Sequence, residues 1–230
     1  MLLAFYIKKS SKCACVFLVC SKKNVLLTCS LFFIIYTKLH IKFMKQIAIF
    51  ASGSGTNAEN VMKYFADSSI SVCRIYTNNS SAGVIERAAS FSVPVTVFNR
   101  SQFYNSDYVL QQLKNDKTDY IILAGFLWLV PQKLIDAYPS KIINIHPALL
   151  PKYGGKGMYG DNVHKAVVAN KETETGITIH LVDEKYDNGA VLFQASCPVT
   201  PQDSYSEVAQ KVHELEYAHF PVVIEQFLNQ

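Results

Sequence analysis

No aspartate or glutamate occurs in the first 43 residues of this chain, although the whole chain contains 18 acidic residues. That stretch holds seven lysines, so residues 44–230 carry 15 basic against 18 acidic side chains. The overall charge of +4 therefore belongs to the amino-terminal stretch, and the remainder is mildly acidic. A mildly acidic remainder lacks the basic surface that binds phosphate backbones or anionic membranes, so we expect neither nucleic acid nor a membrane as a partner.

Cysteine is scarce beyond residue 43, where only Cys73 and Cys197 occur. Two cysteines this far apart form neither a disulfide framework nor a metal-binding spacing. Both lie in apolar runs typical of strands, which indicates buried thiols in a reducing compartment such as the cytoplasm. The four cysteines of the first 43 residues are too irregularly spaced for a zinc site, and we expect no metal.

No uninterrupted apolar run reaches the roughly 20 residues that span a bilayer. Residues 24–36 come nearest, with lysines on both sides, but residues 37–40 offer no small-residue cleavage site for a signal peptidase. Residues 1–43 are therefore interpreted as an extension outside the domain. It is either upstream DNA read as protein, with the true start at Met44, or an anchor or targeting segment.

Residues 44–230 alternate between strand and helix patterns and predict a single α/β domain. Short apolar runs predict strands, and apolar residues at helical spacing predict helices between them. Such alternation predicts a Rossmann-like, mostly parallel sheet with helices on both faces. Strands are predicted at 46–50, 72–77, 95–97, 120–123, 142–145, 176–182 and 190–195, and helices at 57–66, 82–91, 108–114 and from a capping box at Ser204 and Glu207 onward.

A glycine-rich loop follows the first predicted strand. Residues 53–58 match the G-x-G-x-x-G/A pattern of dinucleotide-binding proteins, and they stand between a strand and a helix as that pattern requires. The second strand, however, ends in Thr77-Asn78-Asn79 and not in the acid that binds a ribose hydroxyl. Thr56 and Asn57 add donors that suit a phosphate monoester at a helix N-terminus. A plain tight turn is the remaining alternative.

Two polar side chains, Asn144 and His146, stand at the carboxyl end of the predicted strand 142–145 and directly after it. Alternation along a strand directs both to one face, and open α/β sheets bind their ligands at the carboxyl ends of strands. The imidazole can titrate near neutral pH, and the amide can donate to a developing oxyanion. The alternative is two satisfied polar groups before a proline turn. A downstream polar loop offers Asp183 or Asp187 as a carboxylate partner for the histidine.

Taken together, the residues 52–57, 123–126, 144–147 and 149–152 and the loop around Asp187 resemble the phosphoribosylglycinamide formyltransferases of the formyltransferase superfamily. The resemblance runs from Met44 to the carboxyl terminus, and it implies the formyltransferase fold for residues 44–230. It implies an enzyme of purine (IMP) biosynthesis that moves a formyl group from 10-formyltetrahydrofolate to the amine of 5'-phosphoribosylglycinamide. Small-molecule substrates and a monomer or homodimer are expected.

The resemblance also implies roles for individual residues. His146 acts as a general acid, Asn144 donates to the same oxygen, and Asp187 raises the pKa of the histidine. The phosphorylated substrate is expected at Gly55, Thr56, Asn57 and Glu216. The folate is expected at Leu127, Trp128, Leu129, Val130, Asn144, Val182 and Asp183.

Three positions depart from the family pattern. Trp128 stands where arginine is frequent, and Ser106 falls at the position of an arginine that contacts the folate tail. Tyr217 replaces the histidine that commonly follows the glutamate. Trp128 also fits an ordinary core position. His180 is expected to support the site from behind, without taking part in the chemistry.

Four rival functions share parts of these motifs. Methionyl-tRNA formyltransferase normally carries a further carboxyl-terminal domain, and formyltetrahydrofolate deformylase an amino-terminal one. A dinucleotide-binding oxidoreductase would need the missing acid after the second strand. A membrane-anchored binding module would need residues 1–43 as its anchor.

Overall fold

The computed structural model describes residues 44–230, so the expectations for residues 1–43 fall outside the described residues. Within this range one sheet has the strand order β3-β2-β1-β4-β5-β6-β7. Its strands are β1 (Lys45–Phe50), β2 (Ile70–Thr77), β3 (Val95–Val97), β4 (Tyr120–Leu123), β5 (Ile142–His146), β6 (Glu174–Leu181) and β7 (Val191–Pro198). Pairing is parallel from β3 through β5 and antiparallel at β5–β6 and β6–β7, which confirms the predicted mostly parallel sheet.

The helices are α1 (Thr56–Tyr64), α2 (Val84–Ser90), α3 (Arg100–Tyr104), α4 (Tyr108–Asn115), α5 (Gln132–Ala137), α6 (Asp161–Ala169) and α7 (Tyr205–Leu228). The sequence did not predict α3, α5 and α6. The first two are shorter than two turns, so their apolar residues show no helical period. In α6 the signal is present, because Val163 and Val167 are four residues apart and both are fully buried.

The sheet separates two main apolar layers. Ile47 and Ile49 of β1 point into a core closed by α1, α2 and α7. Ala48 and Phe50 point the other way, into a core closed by α3, α4 and α5. This period-two division along β1 makes both faces of the strand apolar, as expected of a parallel strand covered on both sides.

The strand order reverses at β1, which pairs with both β2 and β4. Loops that leave neighbouring strands on either side of such a reversal diverge and leave a crevice at the carboxyl edge of the sheet. Two hydrogen bonds join the loops after β1 and β4, from Ser52 N to Gly125 O (3.1 Å) and from Leu127 N to Ser52 Oγ (3.1 Å). These bonds therefore hold together the two loops at the base of the crevice.

Helix α7 contains Pro221 in its interior. Proline has no N–H, so the carbonyl four residues earlier, that of Tyr217, loses its helical donor. The side chain of Asn60 on α1 replaces it, with Nδ2 donating to Tyr217 O at 2.9 Å. Helix α1 thus supplies the hydrogen bond that the proline removes from α7. Among residues 44–230, no helix is long and apolar enough to cross a membrane.

Candidate functional site at the carboxyl edge of the sheet

Strand β5 brings Asn144 and His146 to the same face at the carboxyl edge, as their alternation predicted. Its other face carries Ile143 and Ile145 into the core beneath α7. His146 is only 4% exposed, while Asn144 is half-buried. The two polar side chains therefore stand on a strand that the core holds rigidly from behind.

Asp187 folds back over the end of β5 from the loop between β6 and β7. Its Oδ1 lies 3.5 Å from His146 Nδ1, 3.7 Å from His180 Nε2 and 3.4 Å from Asn144 Nδ2, which donates to it. Its Oδ2 accepts a hydrogen bond from Gly155 N at 2.9 Å. One carboxylate thus connects both predicted residues of β5 with a histidine on the next strand.

Burial and charge oppose each other at this carboxylate–histidine pair. Burial lowers the pKa of His146 below 6.5, and this outweighs the Asp187 carboxylate and the Tyr153 carbonyl, which act to raise it. Burial alone would raise the pKa of Asp187, but His180, His146 and Gly155 N together hold it below its ordinary value. The expectation that Asp187 raises the histidine pKa is right in direction, but burial of the ring dominates the net shift.

His180, on β6, lies beside the predicted catalytic residues Asn144 and Asp187. Its Nδ1 lies 2.8 Å from Leu181 O, a pure acceptor, so the ring carries its proton on Nδ1. Its Nε2 atom lies 3.0 Å from Asn144 Nδ2 and 3.7 Å from Asp187 Oδ1. The ring of His180 is thus in contact with both the amide of Asn144 and the carboxylate of Asp187.

Asp183, the alternative acid in the same loop, accepts hydrogen bonds from residues of that loop. Its two carboxylate oxygens accept from Lys185 N at 2.9 Å and from Asn188 Nδ2 at 2.8 Å. It lies in neither of the two cavities described below. The structure therefore brings Asp187, and not Asp183, to His146.

The glycine loop enters α1 through a left-handed residue, Gly55, with φ of 78°. A Cβ at this position would lie 2.5 Å from Cβ of Val84, so the loop packs against α2 too closely for any side chain. Gly53 and Ser54, just before it, line the main cleft. The predicted substrate residues Gly55, Thr56 and Asn57 follow them in the chain but do not line it.

Asn57 contacts the predicted substrate residue Glu216 directly. Its Nδ2 donates to Glu216 Oε2 at 2.8 Å, although the carboxylate is only 5% exposed. Burial raises the pKa of Glu216, and the hydrogen bond from Asn57 partly offsets this. The Oδ1 atom of Asn57 is buried and has no partner among the described residues. Such an orphaned acceptor is rare in folded proteins and suits a ligand donor.

These residues surround a cleft of about 530 Å³. One wall is the loop 155–160, which Asp187 holds through Gly155 N. The lining includes the three predicted catalytic residues and, of the four predicted substrate residues, only Glu216: Gly53, Ser54, Gly125, Phe126, Leu127, Asn144, Ile145, His146, Pro147, Gly155, Lys156, Gly157, Met158, Tyr159, Gly160, His164, Tyr186, Asp187, His213 and Glu216.

A smaller recess of about 50 Å³, whose walls include five of the seven residues predicted for folate, lies beside the cleft. Phe126, Asn144, Tyr186 and Asp187 belong to the walls of both cavities. The recess is further lined by Leu123, Trp128, Leu129, Val130, His180, Val182 and Lys185. Of the predicted folate residues, Leu127 faces the larger cleft.

His164 and His213 were not singled out from the sequence, yet both line the cleft. Their ring centroids are 6.3 Å apart, on α6 and α7. His164 is 2% exposed and its Nδ1 has no partner within residues 44–230. Burial, reinforced by His213, lowers the pKa of His164 to about 4. Helix α6 was not recognised from the sequence. Without it, nothing indicated that His164, which follows the buried Val163, belongs to the site.

A metal centre finds no support in the part of the chain that is described. No group of three or more His, Cys, Asp or Glu side chains in residues 44–230 is arranged to hold a metal ion.

Comparison with known proteins places this geometry in a family. The model of the family described as formyl transferase matches residues 45–224. A phosphoribosylglycinamide formyltransferase of Haemophilus influenzae is 35% identical over 80% of this chain and 87% of that protein. The crystal structure of glycinamide ribonucleotide transformylase 1 from Geobacillus kaustophilus superposes with a TM-score of 0.73 and 35% identity, over 80% of this chain and 99% of the other.

Plant relatives are longer than the matched region. The chloroplastic phosphoribosylglycinamide formyltransferase of Arabidopsis thaliana is 38% identical over 78% of this chain, and the match spans 64% of that protein. Fold, site geometry and these similarities agree. The chain belongs to the formyl transferase family and, within it, to the phosphoribosylglycinamide formyltransferases.

Proposed function

We propose that this protein transfers the formyl group of 10-formyltetrahydrofolate to the amine of 5'-phosphoribosylglycinamide, a step of de novo purine biosynthesis. The observation that carries the proposal is the single Asp187 carboxylate shared by His146, Asn144 and His180 at the wall between the cleft and the recess. An acid, an amide donor and a carboxylate gathered at one point suit acyl transfer, in which charge develops on one oxygen while the amine loses a proton.

The cleft suits the phosphorylated amine. Its Gly53-Ser54 rim adjoins the N-terminus of α1, where free backbone N–H groups favour a phosphate. Glu216, fixed by Asn57, lies in the same cleft and can accept hydrogen bonds from hydroxyl or amide groups of the substrate. Gly55, Thr56 and Asn57 then serve mainly to shape and support this end of the cleft.

The recess suits the folate. Its apolar side chains Trp128, Val130 and Val182 offer flat contact surface, and Asn144 and Asp187 offer polar atoms at the wall shared with the cleft. Bound there, the co-substrate supplies a one-carbon group at the formyl level.

Protons are handled by the chain's own residues. His146 protonates the oxyanion formed when the amine attacks the formyl carbon, and Asn144 donates to the same oxygen by giving up its 3.4 Å contact with Asp187. His146 Nε2 now lies 2.8 Å from Tyr153 O, and this hydrogen bond opens when the formyl oxygen takes its place. Collapse of the intermediate breaks the bond between the formyl carbon and N10 of the folate, and the oxygen returns its proton to His146 as the carbonyl re-forms. Asp187 stabilises the imidazolium and helps to carry the amine proton to N10, the leaving nitrogen.

The decisive assay mixes purified protein with glycinamide ribonucleotide and 10-formyltetrahydrofolate and follows release of tetrahydrofolate. Water alone and charged initiator tRNA replace the amine in parallel reactions. We expect turnover with glycinamide ribonucleotide only. Turnover confined to water or to charged tRNA would contradict the substrate assignment and assign the protein to a deformylase or a tRNA formyltransferase.

We also propose that the reaction takes place in the cytoplasm and that residues 44–230 are the whole catalytic unit. Two isolated thiols, Cys73 and Cys197, support a reducing compartment. Fractionation of the native host tests the location, and the amino-terminal mass of the native protein tests the boundary. A membrane-bound or organellar native protein would overturn the first statement.

A further inference from the structure

Arg87, the fourth residue of α2, joins three segments of the chain at the glycine loop. Its Nε donates to Ser54 O at 2.9 Å. Its Nη1 donates to the carboxylate of Glu59 on α1, with which it also forms an ion pair. The guanidinium is thus held by α1 on one side and holds a backbone carbonyl of the glycine loop on the other.

Two successive carbonyls of the glycine loop face α2. Gly53 O accepts a hydrogen bond from Val84 N at 3.3 Å, and Ser54 O accepts the bond from Arg87. The approach is close, because a Cβ added at Gly83 would lie only 3.1 Å from Ser54 O. Helix α2 therefore sets the orientation of the two peptide groups that follow β1.

The N–H groups of the same two peptides point the other way. In a trans peptide the C=O and the N–H are directed oppositely, and the only cis bond within residues 44–230 is Leu150–Pro151. The N–H groups of Ser54 and Gly55 are therefore directed away from α2. Within the described residues the cleft is lined by Gly53 and Ser54 but by no residue of α2, so the loop stands between that helix and the cleft.

These two N–H groups are unpaired within residues 44–230. No hydrogen bond found there uses Ser54 N or Gly55 N as its donor. Gly55 is buried and precedes α1, whose first N–H groups have no partner inside the helix. Oriented, unpaired N–H groups at a helix N-terminus favour an anion, and buried ones need a partner.

We propose that Arg87 is a positioning residue for the substrate phosphate, which it never touches. By holding Ser54 O against α2, it keeps the N–H groups of Ser54 and Gly55 aimed at the phosphate. The inference rests on the proposed function, since it takes the phosphorylated amine as the occupant of the cleft. Glu59 already neutralises the guanidinium, so its contribution is the orientation of a peptide group and not its charge.

A test must separate orientation from charge. Removing Arg87 alone leaves Glu59 uncompensated beside the phosphate, and that acid would repel the ligand by itself. Arg87→Met is therefore made both in the wild-type chain and together with Glu59→Gln. Methionine keeps the aliphatic stem but donates no hydrogen bond. Glu59→Gln alone is the matched control, because it removes the acid and keeps an oxygen that accepts from Arg87.

Binding is measured by isothermal titration calorimetry on the full chain without folate, so that no turnover occurs. The probes are glycinamide ribonucleotide and glycinamide riboside, which lacks the phosphate. We expect Arg87→Met to weaken the ribonucleotide about tenfold and to leave the riboside unchanged. The double variant should be as weak as Arg87→Met, and Glu59→Gln should bind like the wild type.

Three results would overturn the proposal. Wild-type affinity in the double variant would show that Arg87 only balances the charge of Glu59. An equal loss for both probes would show a general disturbance of the cleft, and no loss for either would show that the loop keeps its orientation without Arg87.

Kinetics separate this inference from the proposed function. Arg87→Met should raise the KM for glycinamide ribonucleotide about tenfold and leave kcat and the KM for the formyl-folate unchanged, because the phosphate lies away from the reacting atoms. Arg87-dependent binding of the ribonucleotide without turnover refutes the proposed reaction and sustains the positioning role. Normal turnover with an unchanged KM in Arg87→Met refutes the positioning role and sustains the reaction.

Discussion

Oδ1 of Asp187 lies 3.5 Å from Nδ1 of His146, and the loop that carries Asp187 holds the residue in a left-handed conformation with φ of 53°. A non-glycine residue in this region carries strain that the surrounding structure must support. Here the support is the hydrogen bond from Gly155 N and the contacts with His180 and Asn144. Tertiary contacts therefore hold the Asp187 carboxylate in position beside His146.

Replacing the acid by its amide tests this relationship. Asp187→Asn keeps the shape of the side chain but removes the charge that stabilises the imidazolium of His146. We expect a folded protein whose kcat falls on the order of a hundredfold or more. Asp183→Asn, in the same loop, is the control and should keep kcat close to the wild-type value. Circular dichroism checks folding, and a wild-type kcat in Asp187→Asn would remove Asp187 from the mechanism.

The stability of the protein should fall at acid pH through His164. The folded state holds the pKa of His164 at about 4, against an ordinary value of 6.5, so the unfolded state binds more protons between these limits. The stabilisation is complete above pH 6.5 and is lost as pH falls towards 4. Urea unfolding should show wild type losing about 3 kcal/mol more than His164→Leu across this window. Parallel losses in the two proteins would contradict the assignment.

Gly55→Ala should destabilise the fold. The new methyl group would meet Val84 at 2.5 Å, and the φ of 78° is unfavourable for alanine. The left-handed backbone alone costs about 1–2 kcal/mol, and the contact adds to it. Gly53→Ala is the control, because a methyl group added at Gly53 would have no other atom within 4 Å. Thermal unfolding compares the two, and adding Val84→Ala should recover part of the loss in the Gly55 variant.

Asn60 and Pro221 should be energetically coupled. Asn60→Ala leaves Tyr217 O without the donor that the proline denies it, at a cost of about 1 kcal/mol. With Pro221→Ala the helix can supply its own N–H to that carbonyl, so removing Asn60 should then cost much less. A double-mutant cycle on the free energy of unfolding measures this coupling. Additive effects would show that the amide does not replace the missing helical bond.

A chain that starts at Met44 should match the full chain in kcat and KM. Every contact described above joins residues of 44–230, and the family model begins at residue 45. The comparison uses both chains at equal concentration in the tetrahydrofolate-release assay. A shortened chain that folds but has lost activity would place a functional role in the first 43 residues.

The sequence predicted the elements whose signal is local. The alternation of Asn144 and His146 on a buried strand and the capping box at Ser204 are both present in the structure. Contacts between distant segments have no such signal. The choice between Asp183 and Asp187 depends on a loop returning over β5, and Asn57 meets Glu216 across 159 positions of the chain. The contacts of Trp128 with Phe103 and Tyr104 of α3 likewise join segments that are distant in the chain.

The hydrogen bond between Asn57 and Glu216 also determines when the site can be completed during protein synthesis. The glycine loop lies between the first strand and the first helix of the domain, whereas Glu216 lies on α7, 159 positions later in the chain. During synthesis the loop is therefore made long before the acid that it contacts. Chains truncated before α7 lack Glu216 and should bind glycinamide ribonucleotide poorly, however well their sheet has formed.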